Sequence, residues 1–129
     1  IRDFKALDRS FILSTMLKGL YHSGSIFKGL DKDIFFKHYS KICEYFLDNP
    51  SYNTKVVCLT ASPDVILSYC VYNSTSKALI YVYTKKDFRL NGLCHSLTKD
   101  LEILTIAHST PIGLSIAKTR NLTFNPFII

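Results

Sequence analysis

Residues 78–99 read ALIYVYTKKDFRLNGLCHSLTK. The first seven, Ala78–Thr84, are β-branched and aromatic, the composition of a strand. Lys85–Phe88 then forms a short basic loop, Arg89-Leu90-Asn91-Gly92-Leu93-Cys94 follows, and the glycine opens a helix-like segment. A strand that feeds a glycine-bearing loop and then a helix is a backbone arranged to grip a diphosphate. The first helical turn has unpaired N–H groups and the positive end of a dipole, and a glycine lets an anion approach closely. Lys85, Lys86 and Arg89 place positive charge around that loop.

The pattern can be followed outward in both directions. Upstream, the hydrophobic period is two: Thr54–Thr60 and Val65–Tyr72 read as strands, with a turn at Ser62-Pro63-Asp64 and a polar turn at Asn73–Lys77. With Ala78–Thr84 they form an antiparallel meander. Further upstream the period is helical. A helix near Asp31 carries Phe35, Tyr39, Ile42, Cys43 and Phe46 on one face and ends at Asn49-Pro50. An earlier helix, capped by Asp8 or Ser10 and stopped by Gly24, carries Leu13, Met16, Leu17, Leu20 and Tyr21. Both helices read as covers for the core. Ile1–Leu7 is expected as a short first strand. Downstream, Gly92–Asp100 is expected as a helix and Ile103–His108 as a strand. Thr110-Pro111 opens a helix with proline at its first position, and Leu122–Ile129 forms a last strand that Pro126 confines to an edge or bulge. The order is β-α-α-β-β-β-α-β-α-β.

Composition bounds the function. A chain of 129 residues with 47% hydrophobic and 13% aromatic content is one globular domain, not a disordered segment. Its apolar runs are short and interrupted, so no membrane span is expected, and Asp3, Lys5, Asp8 and Arg9 break any secretory signal. Cys43, Cys58, Cys70 and Cys94 show no C-x-x-C pair and no histidine at zinc spacing. They are expected as reduced thiols in a cytoplasmic compartment, without metal; Cys58 and Cys70 fall on neighbouring strands. The net charge of +6 asks for an anionic partner. Its cations are scattered, and no segment is rich in both arginine and aromatics, which argues against nucleic acid.

The 78–99 stretch resembles the cofactor loop of the GCN5-related N-acetyltransferases. Their pattern is Gln or Arg, two residues, Gly, one residue, then Gly or Ala; Arg89, Gly92 and Cys94 stand at those places, with Phe88 at the aromatic before the arginine. Cys94 departs from the pattern, and Lys86 stands where the lead-in has proline. The order of elements is similar over nearly the whole chain. The resemblance implies an α/β fold, a mixed and mostly antiparallel central sheet flanked by helices. It also implies that acetyl-coenzyme A lies where the strand before the loop and the next strand splay apart. Its pantetheine would pair with the edge Val82, Tyr83, Thr84, and its pyrophosphate would meet the N–H groups of Leu90, Asn91, Gly92, Leu93 and Cys94.

Acetyl transfer to an amine needs a base, a donor for the carbonyl oxygen and an acid for the leaving thiolate. His108, at the end of a strand on the wall of the implied cleft, is the candidate base, and Tyr83 a candidate donor. The acid that the family often supplies as a tyrosine is missing, since Thr119 falls near that place and Thr123-Phe124 replaces Gly-Phe. Three readings stay open: an N-acetyltransferase of a small or protein amine, a catalytically reduced domain that binds or supports within a larger assembly such as that of a phage, and a basic nucleic-acid-binding domain, against which the scattered charge counts.

Overall fold

The meander forms the middle of the sheet in a computed structural model that describes residues 1–23, 27–89 and 91–129. Its strands are β2 (Tyr52–Cys58), β3 (Ile66–Asn73) and β4 (Ala78–Thr84). To these are added β1 (Arg2–Asp3), β5 (Thr105–Ile106) and β6 (Thr123–Phe124), giving the sheet order β1-β2-β3-β4-β5-β6 among the described residues. Pairing is antiparallel from β1 to β4 and parallel from β4 to β6. The helices are α1 (Arg9–Ser23), α2 (Lys32–Asp48), α3 (Leu93–Thr98) and α4 (Pro111–Arg120). The protein is therefore a mixed α/β fold with helices on both faces of a mostly antiparallel sheet.

Two apolar layers hold it. On one face α1 and α2 pack Ile12, Met16, Leu20, Phe35 and Phe46 against Tyr69, Val71, Ile80 and Tyr81. On the other, Leu97 and Ile103 join Cys70, Leu79, Val82 and Ile106. Ile80 and Tyr81 are adjacent yet sit in the same layer because β4 bulges there. Val71 pairs with Tyr81 and Tyr72 with Leu79, which leaves Ile80 as the extra residue.

Several ends differ from the sequence reading. The first strand stops at Asp3 because Asp8 folds the chain back: its carboxylate accepts from the Lys5 backbone N–H at 2.8 Å and from the Arg2 guanidinium at 2.7 and 2.9 Å. Ala6–Asp8 is consequently a 3₁₀ turn, and the Asp8 side chain looks backward instead of capping α1. The expected stop at Gly24 lies outside the described residues. Asp31 caps α2 as read, accepting from the N–H groups of Asp33 and Ile34. Helix α3 ends at Thr98, short of Asp100. The strands expected at Ile103–His108 and Leu122–Ile129 shrink to two residues each. In the second case Asn125 turns the chain, its side chain accepting from Phe127 N–H at 2.9 Å. Cys58 faces Ile66 and Cys70 faces Lys55, so the two cysteines do not oppose one another across β2 and β3.

Candidate functional site

Strand β4 has a full neighbour on one side only. It runs beside β3 to Thr84, whereas β5 pairs with it at Ala78 and Leu79 alone. Beyond Leu79 the sheet forks, and the edge at Val82, Tyr83 and Thr84 has no strand beside it among the described residues. The Thr84 carbonyl accepts from Arg89 Nε at 3.3 Å, which folds the loop back over the strand end. Lys86–Phe88 makes one 3₁₀ turn, and Gly92 then enters α3 with φ +76°. That left-handed backbone favours glycine, and a Cβ built on Gly92 would meet nothing within 4 Å, so the space over it is open.

Thr84, Phe88, Arg89, Gly92, Cys94 and Ile112 line a hollow of about 370 Å³ over this loop. The arginine, the glycine and the cysteine of the sequence motif thus share one cavity. Arg89 is exposed in its lining, and Lys85 and Lys86, just before it in the chain, are exposed too. Asn91 is exposed and does not line it, and Leu90 lies outside the described residues. Burial raises the Cys94 thiol above its usual pKa, which favours the protonated form. Through Cys94 and His95 the hollow adjoins a groove of about 410 Å³ between α3 and α4, lined also by Lys99, Ser115, Thr119 and Arg120. Sequence reasoning missed this groove. Its signal was the pair of cations at the ends of two neighbouring helices. The Arg120 guanidinium is held by the Thr98 and Leu101 carbonyls at 2.9 and 2.8 Å, and the Thr119 hydroxyl donates to the Ser115 carbonyl.

His108 sits at the fork, two residues beyond β5 and 7% exposed. Its Nδ1 lies 2.8 Å from the Ile80 carbonyl, the residue made extra by the bulge. A carbonyl only accepts, so Nδ1 carries the proton and Nε2 is left as an acceptor. The Tyr39 hydroxyl, 2.5 Å from Nε2, donates to it. Burial lowers the His108 pKa, only partly offset by the Ile80 bond, and burial raises that of Tyr39. Both groups are therefore neutral near pH 7. Tyr39 was read from the sequence as core alone; it is also the partner of the candidate base.

Tyr83 does not join this pair. Its ring stacks on Tyr69 at 5.2 Å and meets Phe11 of α1 edge-on at 5.7 Å. The side chain therefore packs in the α1 layer and does not line the loop hollow.

The two sides of the fork differ in openness. Between β4 and the first turn of α4 the space shrinks to about 10 Å³, bounded by Ile80–Val82, Ile106, His108 and Gly113. Thr110 caps α4 by accepting from Gly113 N–H, and a Cβ on Gly113 would stand 3.0 Å from the His108 carbonyl oxygen, so that turn is tightly seated. On the other side, Tyr39 and His108 form part of the wall of a cleft of about 400 Å³ between α2 and the C-terminal residues.

No protein-family model and no curated protein matches the chain. Among solved structures it is similar to the crystal structure of an acetyltransferase from Vibrio fischeri, with 18% identity, a TM-score of 0.41, and coverage of 76% of this chain and 79% of that one.

Proposed function

We propose that the protein is a coenzyme A-binding domain of the GCN5-related N-acetyltransferase type that transfers an acetyl group to an amine. The observation that carries this is the junction of three features: the unpaired edge of β4, the left-handed turn at Gly92, and the hollow that joins Arg89, Gly92 and Cys94. The loop end fits a diphosphate, because open space lies over the one residue whose backbone an anion must approach. Lys99 and Arg120 in the adjoining groove are the cations that would meet a further phosphate of a bound nucleotide. The reading also assigns the chain to a reducing, cytoplasmic compartment, in keeping with its four free thiols.

Coenzyme A, when bound, would supply an acyl group activated by a good thiol leaving group. The chain's own contribution lies at the fork. The Ile80 carbonyl fixes His108 in its Nδ1–H form, and Tyr39 presents its oxygen to the cleft side while donating to Nε2. A proton taken up at the Tyr39 oxygen is matched by passage of the phenolic proton to Nε2, and the positive charge rests on the His108 ring. His108 is thus the proposed base, acting through Tyr39.

A second reading, a coenzyme-binding domain without turnover, is favoured by one observation. The space between β4 and α4 next to His108 is about 10 Å³, too small for a thioester arm unless the first turn of α4 moves. Calorimetry with coenzyme A tests both. We expect binding, and at least a tenfold loss in Gly92→Val, whose branched side chain occupies the open space and strains the left-handed backbone. No heat at millimolar coenzyme A overturns the proposal. Binding without acetylation of a broad amine panel selects the second reading.

A further inference from the structure

We propose that the cleft between α2 and the C-terminal residues binds a small planar aromatic amine that carries a carboxylate. The reading above enters only in making this ligand the acetyl acceptor; its binding needs no coenzyme A.

The walls carry the argument. Phe27, Tyr39, Tyr45 and Phe124 give the cleft four aromatic faces, and Ile42 and Ile129 close it. Of these, Ile42, Tyr45, Phe124 and Ile129 remain 36%, 49%, 41% and 42% exposed, a concentration of apolar surface around one opening. Aromatic walls of this kind hold a ring edge-on or offset. At about 400 Å³ the cleft lies near the lower end of small-molecule sites and suits a single ring with its substituents.

Charge narrows the class. Lys41 is the cation of the lining, it takes part in none of the ion pairs among the described residues, and no side chain of the lining is acidic. An alkylammonium would enter beside a lysine and meet no acidic side chain. An aromatic amine is weakly basic and neutral near pH 7, so it needs no counter-charge, while a carboxylate on the same ring meets Lys41. Polar groups for the amine stand in the same wall. The Tyr39 oxygen has a lone pair to offer, and Ser109 Oγ is buried without a hydrogen-bond partner among the described residues. The amine satisfies that hydroxyl, which otherwise costs stability.

The test titrates 4-aminobenzoate, aniline and hexylamine into the 129-residue chain at pH 7.5 by calorimetry. We expect submillimolar binding of 4-aminobenzoate, weaker binding of aniline and none of hexylamine. Lys41→Met should weaken 4-aminobenzoate about fivefold and leave aniline unchanged. Ring resonances of Tyr39 and His108 should move with 4-aminobenzoate. Equal binding of hexylamine, no binding of 4-aminobenzoate, or resonance shifts confined to other residues overturns the proposal. So does a dimer in sedimentation that 4-aminobenzoate leaves intact, since a second copy would then cover the opening. Coenzyme A titrated in parallel separates the two ideas. Coenzyme A binding without 4-aminobenzoate binding removes this inference and spares the coenzyme reading, and the opposite result upholds it.

Discussion

His108 is held between two elements, the strand β4 and the helix α2. Its ring spans from the Ile80 carbonyl of β4 to the Tyr39 hydroxyl of α2, and the Tyr39 bond, donated to Nε2, requires the uncharged ring. Because burial lowers its folded-state pKa, the unfolded chain binds the extra proton first. Its contribution to stability is therefore present above an unfolded value of about 6.5 and is lost as pH falls below that value. Asp8 acts in a separate window: the Arg2 bond holds its carboxyl below the usual range, so its contribution disappears only below about pH 4. Urea midpoints should thus fall between pH 7.5 and 5.5 in the parent chain and fall less in His108→Gln; equal falls would remove His108 as the cause. The other three histidines are exposed. Tyr39→Phe leaves Nε2 without its donor and should cost about 1–3 kcal/mol, read as a shift in the same midpoints. The sequence put His108 at the end of a strand on the wall of the implied coenzyme cleft; in the structure it stands two residues beyond β5 and lines the cleft between α2 and the C-terminal residues. Its bond to a bulge carbonyl was not legible, because a bulge changes pairing register without altering the run ALIYVYT.

Elements with strong local grammar came out as written. Ala78–Thr84 matches β4 residue for residue, and Thr110-Pro111 caps α4 through a Gly113 N–H bond of 3.0 Å. Elements lacking that grammar were overdrawn: β5 and β6 read as long apolar runs but pair over two residues each, since packing buries Ile103, Ile106 and Ala107 and leaves Phe124, Phe127 and Ile129 exposed. Helix α1 illustrates what spacing alone hides. Gly19 interrupts an otherwise good helical run, and its reason lies across the layer: a Cβ there would stand 1.9 Å from the Tyr81 hydroxyl. Gly19→Ala therefore trades a better helix former for a clash and should destabilise by about 1–3 kcal/mol. In a Tyr81→Phe background the same change should cost clearly less, as judged by a double-mutant cycle on thermal unfolding. Additive losses would place the clash elsewhere.

Over the whole molecule, the fold order was legible and the division of its surface was not. Charge scatter is visible in a sequence, but a groove between α3 and α4 appears only once two distant segments pack. The cysteines show the same split. All four are free, and they fall into two buried and two half-buried. Burial pushes Cys43 and Cys70 up to about 12, so their thiolates are scarce at neutral pH. Thiol counting in denaturant should find four, while the native protein should expose two promptly, Cys58 and Cys94, and the other two only on unfolding. A denatured count of two would mean a disulfide and overturn the reduced assignment.

The fork has a consequence for how the sheet opens in time. β2, β3 and β4 share long ladders, whereas two residue pairs hold β5 to β4 and two hold β6 to β5. Amide hydrogens of the meander should exchange with deuterium only when the whole chain unfolds, and those of Ile106, Ala107 and Thr123 well before. The wall beyond Leu79 then behaves as a hinged leaf on a rigid page. An early-exchanging segment of this kind lets the seat of α4 lift from β4 at a fraction of the cost of unfolding, with the three central strands left undisturbed.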